Sequence, residues 1–121
     1  MKPEVLVIIS VLLGVAGQIL LKKGMSLIGP LDVGLSSFIP TLILIFREPF
    51  VLSGIFSYAI STIFWLFALS KVQLSYAYPM ISIGYILVLL FSWLFLGEKI
   101  SLVRVFGVLL ICMGVFMVLK S

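Results

Sequence analysis

Apolar residues in this chain fall in long blocks rather than alternating with polar ones. A bilayer core about 30 Å thick takes roughly 20 apolar helical residues to cross, and blocks of nearly that size recur four times. They predict helices over residues 4–21, 50–69, 77–96 and 102–119. The first stops at Lys22-Lys23-Gly24, the second follows Arg47-Glu48-Pro49, and Gly97-Glu98-Lys99 makes the turn before the fourth. Gly24, Gly29, Pro30, Asp32 and Gly34 mark a connection after the first helix. One block does not fit this pattern. Residues 35–46 are apolar but too short to span, about 18 Å at 1.5 Å per residue, and Pro40 interrupts them. They read as an interfacial helix. The expected architecture is an all-α membrane protein, a single transmembrane domain over residues 1–121 with four crossings and one short interfacial helix.

Composition agrees with that pattern. Of 121 residues, 64% are hydrophobic and 10% charged, against about 25% charged in a soluble domain. The net charge of +4 therefore reports on topology and anionic headgroups, and no nucleic-acid partner is expected. Lys22, Lys23, Arg47, Lys99 and Arg104 share one end of the bundle, while Lys2, Lys71 and Lys120 share the other. Five against three favours the first end as cytoplasmic, a small bias that leaves dual insertion open. Lys2 precedes an apolar run as in a signal peptide, but two lysines follow that run in place of a small-residue cleavage site, so it reads as a retained first helix. Cys112 stands alone in an apolar run and reads as a small packing residue.

Catalytic and metal-binding chemistry lacks its usual residues. The chain has no His and one Cys, and its four acids, Glu4, Asp32, Glu48 and Glu98, fall at helix ends or in connections. No enzyme activity, metal or cofactor is expected. A proton-driven transporter normally keeps an ionisable group at membrane depth, and no carboxylate is expected there. Gln18 is a polar residue of the first span, and its amide serves either an interhelical hydrogen bond or a ligand. Gly14 and Gly17 beside it allow a helix or lipid chain to approach. Ser57, Ser61 and Thr62 are expected to bond their own helix's carbonyls. In Ser75-Tyr76-Ala77-Tyr78-Pro79-Met80, Pro79 either frees the Ser75 carbonyl within a helix or sits harmlessly in a first turn. Ser82 and Tyr85 follow on a similar face. Lys22 and Lys23 either snorkel to the interface or clamp a phosphate at that depth. Gly107 and Gly114, nearly two turns apart, mark the fourth helix for packing or dimer contact.

Val15-Ala16-Gly17-Gln18 followed by a basic pair, Ala77-Tyr78-Pro79-Met80-Ile81-Ser82, Phe95-Leu96-Gly97-Glu98-Lys99 and Gly107…Gly114-Val115 occur in an order and spacing that carry a resemblance. The chain resembles small four-helix members of the drug/metabolite transporter superfamily, most of all the subunits of the aminoarabinose–undecaprenyl phosphate flippase (ArnE and ArnF). The likeness covers helix one and then residue 50 to the end. It implies a fold of small-multidrug-resistance type. It also implies a multi-pass protein of the inner membrane that translocates a polyprenyl-phosphate-linked sugar or related lipid as a homodimer or as a heterodimer with a homologue. On that reading the phosphate engages Lys22 and Lys23, and the headgroup passes along Gln18, Tyr78, Ser82 and Tyr85. The chain departs from the small multidrug resistance transporters, since Gly14 stands where their essential Glu is expected and Ile81 lies near the place of their third-helix Trp. Residues 35–46 also make a longer segment than in the flippase subunits. A transporter of small metabolites or amphipathic cations is the alternative, and a non-transporting subunit that stabilises another membrane protein is a third.

Overall fold

A computed structural model describes residues 2–31, 34 and 36–121. Asp32 of the first connection and Leu35 at the start of the interfacial segment lie outside the described residues. Six α-helices and one 3-10 turn make up the described chain: α1 (Pro3–Ile28), α2 (Phe38–Arg47), α3 (Pro49–Leu69), α4 (Leu74–Met80), the 3-10 turn Ile81–Ile83, α5 (Gly84–Phe95) and α6 (Leu102–Lys120). With α4, the turn and α5 taken as one rod, four helices are long and apolar enough to cross a membrane. The protein is thus an all-α membrane protein with four spans and one shorter apolar helix.

Local chemistry sets the helix ends. Pro3 and Pro49 stand in the first turns of α1 and α3, where a missing N–H costs nothing and a fixed φ helps. The Glu48 carboxylate accepts from the Phe50 N–H at 3.4 Å, and the Ser101 hydroxyl accepts from the Arg104 N–H at 3.2 Å. Gly97, at φ 68°, supplies the left-handed residue of the turn between α5 and α6.

Two features differ from the sequence expectation, the end of α1 and the effect of Pro40, and the structure decides between the two readings of Pro79. Helix α1 does not stop at Gly24 but runs to Ile28 and ends at Gly29, φ 94°, whose N–H reaches the Met25 carbonyl at 2.9 Å. Gly24 is a packing residue: a Cβ there would lie 2.6 Å from Val51 Cγ2. Pro40 does not interrupt α2, because it falls in the first turn, where no intrahelical acceptor waits for its N–H. Helix α4 already exists when the chain reaches Pro79, so that proline lies inside it, and the following residues tighten into the 3-10 turn. Of the two readings of Pro79, the one that places it within a helix therefore holds.

Lipid tails are as apolar as leucine, so small residues and close packing hold these helices together. Phe56, Val103 and Met117 face outward as a soluble protein would not allow. Helices α1 and α3 form the tightest pair. Gly17 and Gly24, two turns apart on α1, meet Gly54, Tyr58 and Val51 of α3. Two cross-helix hydrogen bonds reinforce the pair, Ser10 Oγ to the Ser61 carbonyl and Ser57 Oγ to the Leu13 carbonyl, both at 2.8 Å. The expectation that Ser57 bonds its own helix is thus corrected, because α1 passes near enough to offer a carbonyl. Such bonds contribute on average about 0.6 kcal/mol each in membrane proteins. Leu6, Val7, Ala68, Ala77 and Met80 form a buried cluster where α1, α3 and α4 meet, with Leu119 of α6 against it. Helix α6 packs chiefly on α4 and the 3-10 turn, and Val115 is its only buried residue.

Candidate functional site

Above the buried cluster, α1 and α3 face α4 and α5 across a central groove of about 380 Å³. It exists because each wall is thin. Gly14 gives α1 no side chain there, and a Cβ added to it would meet only Ser61 Oγ, at 3.7 Å. Gly84 sits where α5 passes α1, with Val11 and Val15 opposite. The 3-10 turn after Pro79 carries Ile81 to the groove edge.

The lining is polar yet uncharged. Gln18 of α1, Tyr58 of α3, Tyr78 of α4 and Tyr85 of α5 all face the hollow. Trp65 stands edge-on to Tyr78, with ring centroids 6.3 Å apart. The hydroxyls of Ser10, Ser61 and Thr62 also line it. Their protons are committed to the carbonyls of Ser61, Tyr58 and Tyr58, at 2.8, 2.6 and 3.0 Å. These three oxygens can therefore serve a ligand only as acceptors. No hydrogen bond holds the Gln18 amide among the described residues, so its NH₂ group supplies donors.

The residues proposed from the sequence divide accordingly. Gln18, Tyr78 and Tyr85 are brought together around the groove. Ser82 is half-buried on the 3-10 turn and does not line it. Lys22 and Lys23 are exposed one turn beyond Gln18, in the continuation of α1. At about 100° per residue, Lys22 falls about 40° from Gln18 around the helix and Lys23 about 140° away. Lys22 thus continues the groove-side stripe, and Lys23 does not. Gly107 and Gly114 face open space, with nothing within 4 Å of an added Cβ. Tyr58 and Trp65 were missed in the sequence, although Ser57, Ser61 and Thr62 had marked that stretch of α3 as polar among aromatics. Gly14 matters as a wall of the hollow; where the small multidrug resistance transporters are expected to carry a carboxylate, this chain leaves space.

The chain that builds this groove has relatives of known family. The EamA-like transporter family matches residues 1–120. The chain belongs to that family. Among its relatives is a protein of Serratia proteamaculans named "Probable 4-amino-4-deoxy-L-arabinose-phosphoundecaprenol flippase subunit ArnF", 35% identical over 116 residues, 90% of this chain and 85% of the relative. A Photorhabdus laumondii protein of the same name is 35% identical over 122 residues, covering 98% of this chain and 97% of that one. An Aeromonas hydrophila protein, named as the ArnE subunit of the same flippase, is 37% identical over 68 residues, 56% of this chain and 60% of its own length. No solved structure matches the chain. All the residues that line the groove fall within the part of the chain that the family covers.

Proposed function

We propose that this protein is a subunit of an inner-membrane flippase that translocates a polyprenyl phosphate carrying a sugar. The observation behind this reading is the groove itself: about 380 Å³, lined by four aromatic side chains together with hydroxyl and amide groups and no charged residue. A sugar ring offers C–H faces to aromatic rings and hydroxyls to neutral hydrogen-bond partners, and such a lining receives it without stranding a buried charge. The headgroup contacts Gln18, Tyr78 and Tyr85, with Ser82 on the adjoining turn. The phosphate remains at the interface, where Lys22 lies on the groove side of α1, and Lys23 adds to the local positive potential. The polyprenyl chain stays in lipid. Relatives named as subunits of an aminoarabinose-phosphoundecaprenol flippase support this choice of substrate. Both ArnE and ArnF occur among them, which supports assembly with a homologue through the open face of α6 at Gly107 and Gly114, homodimerisation being the other arrangement.

A second reading has its own support. Tyr58, Trp65, Tyr78 and Tyr85 line the groove, and the face of an aromatic ring attracts an amphipathic cation. Native mass spectrometry of protein released directly from membranes separates the two. The flippase reading expects dimers that retain a polyprenyl-phosphate-linked sugar. A dimer that retains only ordinary phospholipid while binding added organic cations in the groove contradicts it and supports the second.

A further inference from the structure

The central groove has a neighbour. A second cleft, of about 210 Å³, lies further along α5 toward Gly97, where α6 stands away from α5. Tyr85 and Val88 line both hollows, so one face of α5 forms a continuous wall from the first to the second. The chemistry changes along that wall. No acid or base lines the groove, whereas Glu98 and Arg104 both line the cleft, with Ser92 beside them. Neither charge is used up within the chain: among the described residues Glu98 has no ion pair, and the Arg104 guanidinium makes only a 3.4 Å bond from Nη1 to the Lys99 carbonyl. That bond holds the arginine over the turn and leaves the rest of its fork of N–H groups for a ligand.

We propose that this cleft is a loading site for a lipid head that carries a phosphodiester and a primary ammonium together. Arg104 takes the phosphate through its planar fork, and Glu98 takes the ammonium. The pairing of signs selects the ligand. A phosphate without an amine meets the Glu98 carboxylate uncompensated, and a cation without a phosphate meets Arg104. Both repulsions are felt strongly where part of the surroundings is hydrocarbon. The cleft is too small for a polyprenyl chain, so only the head enters it. From there the ammonium-bearing part of the head passes Tyr85 into the uncharged groove, where aromatic rings and hydroxyl oxygens take the place of the Glu98 carboxylate, while the phosphate stays at the interface. The inference rests on the flippase reading for the identity of the tail, though not for the chemistry of the head.

The test uses the full chain in phosphatidylglycerol nanodiscs, with its homologous partner if it purifies as a heterodimer. Four probes are compared: undecaprenyl phosphate bearing 4-amino-4-deoxy-L-arabinose, the same lipid N-acetylated, phosphatidylethanolamine, and N-acetyl phosphatidylethanolamine. Wild type should bind the free-amine sugar lipid about 10-fold or more tightly than its acetylated form, the worth of one charge-assisted hydrogen bond. Glu98→Gln should erase that preference while still binding both. Arg104→Gln should weaken both forms, and Arg104→Lys should restore part of the loss. A folded Glu98→Gln protein that keeps the full preference overturns the proposal. So does a wild type that binds both sugar lipids equally, which leaves the flippase reading standing. That wild-type comparison depends on no variant folding. Should wild type ignore both sugar lipids yet prefer phosphatidylethanolamine to its acetylated form, the loading site stands with an ordinary phospholipid as its occupant, and the flippase reading falls.

Discussion

Gly17 and Gly54 meet across the α1–α3 contact with no room for a side chain on either: a Cβ on Gly17 would lie 2.8 Å from the Gly54 carbonyl oxygen, and one on Gly54 would lie 2.7 Å from the Gly17 oxygen. The obstacle in each case is backbone, which cannot rotate away. Gly17→Ala or Gly54→Ala should therefore force α1 and α3 apart and destabilise the protein by about 1–3 kcal/mol. Gly14→Ala points into the groove, where its methyl finds an ordinary contact at 3.7 Å, so it should leave stability nearly unchanged while reducing ligand binding. Thermal unfolding of the three variants in one detergent checks both statements. Equal melting temperatures for Gly14→Ala and Gly17→Ala would contradict the packing described here.

The two lysines after Gln18 should separate in function. Lys22 continues the groove-side stripe of α1 and Lys23 does not. A charge-assisted bond contributes roughly 1.5–3 kcal/mol, or about 10- to 150-fold in affinity. Lys22→Gln should thus lose most of the preference for polyprenyl phosphate over polyprenol, and Lys23→Gln should lose little. Binding of both lipids to each folded variant in nanodiscs gives the comparison. Equal losses would show that the lysines act as a general positive potential, and no loss in either would remove them from the phosphate site.

Helix α6 carries the association prediction. Leucines at positions 107 and 114 meet nothing inside the protomer, so Gly107→Leu with Gly114→Leu should fold with an unchanged melting temperature in detergent. If this stripe is the subunit contact, the double variant should run as a monomer where wild type runs as a dimer. Native mass spectrometry reads the difference. A double variant that remains dimeric places the contact on another face.

How far the sequence revealed this arrangement can be judged from particular residues. The four spans were legible because membrane solvent demands long apolar runs, and a run of that length has few other readings. Gly24 misled, since a glycine after a basic pair signals a helix end just as well as it signals a close crossing; only the position of Val51 distinguishes them. Pro79 left two readings that depended on where α4 began, and its start at Leu74 decided between them. Within the groove, Gln18, Tyr78 and Tyr85 stood out as polar groups in apolar helices. Tyr58 and Trp65 did not, because an aromatic on a membrane helix faces lipid as readily as a hollow, and one-dimensional spacing cannot tell which. Ser82 was placed with them by spacing alone, and the 3-10 turn, with its different rotation per residue, carries it off the groove wall.

Helix α2 has 10 residues and no buried side chain, and at about 15 Å it reaches only half-way through a hydrocarbon core. It should lie at the interface on the side of Lys22. Single-cysteine labelling at Ser36→Cys and Arg47→Cys, in a Cys112→Ala background, should give reaction from the same side of the membrane. Labelling from opposite sides would make α2 a fifth crossing.

The central claim, transport of a sugar-bearing polyprenyl phosphate, is tested most directly by following the lipid itself. Aminoarabinosyl undecaprenyl phosphate is placed in both leaflets of proteoliposomes holding the purified protein, with its homologous partner where one co-purifies. The amines of the outer leaflet are then blocked with a membrane-impermeant reagent. The shielded half should become reactive over minutes with wild type, far more slowly with Gly14→Leu, which fills the groove, and not at all in protein-free vesicles. A shielded fraction that stays constant with folded, groove-intact protein would contradict it.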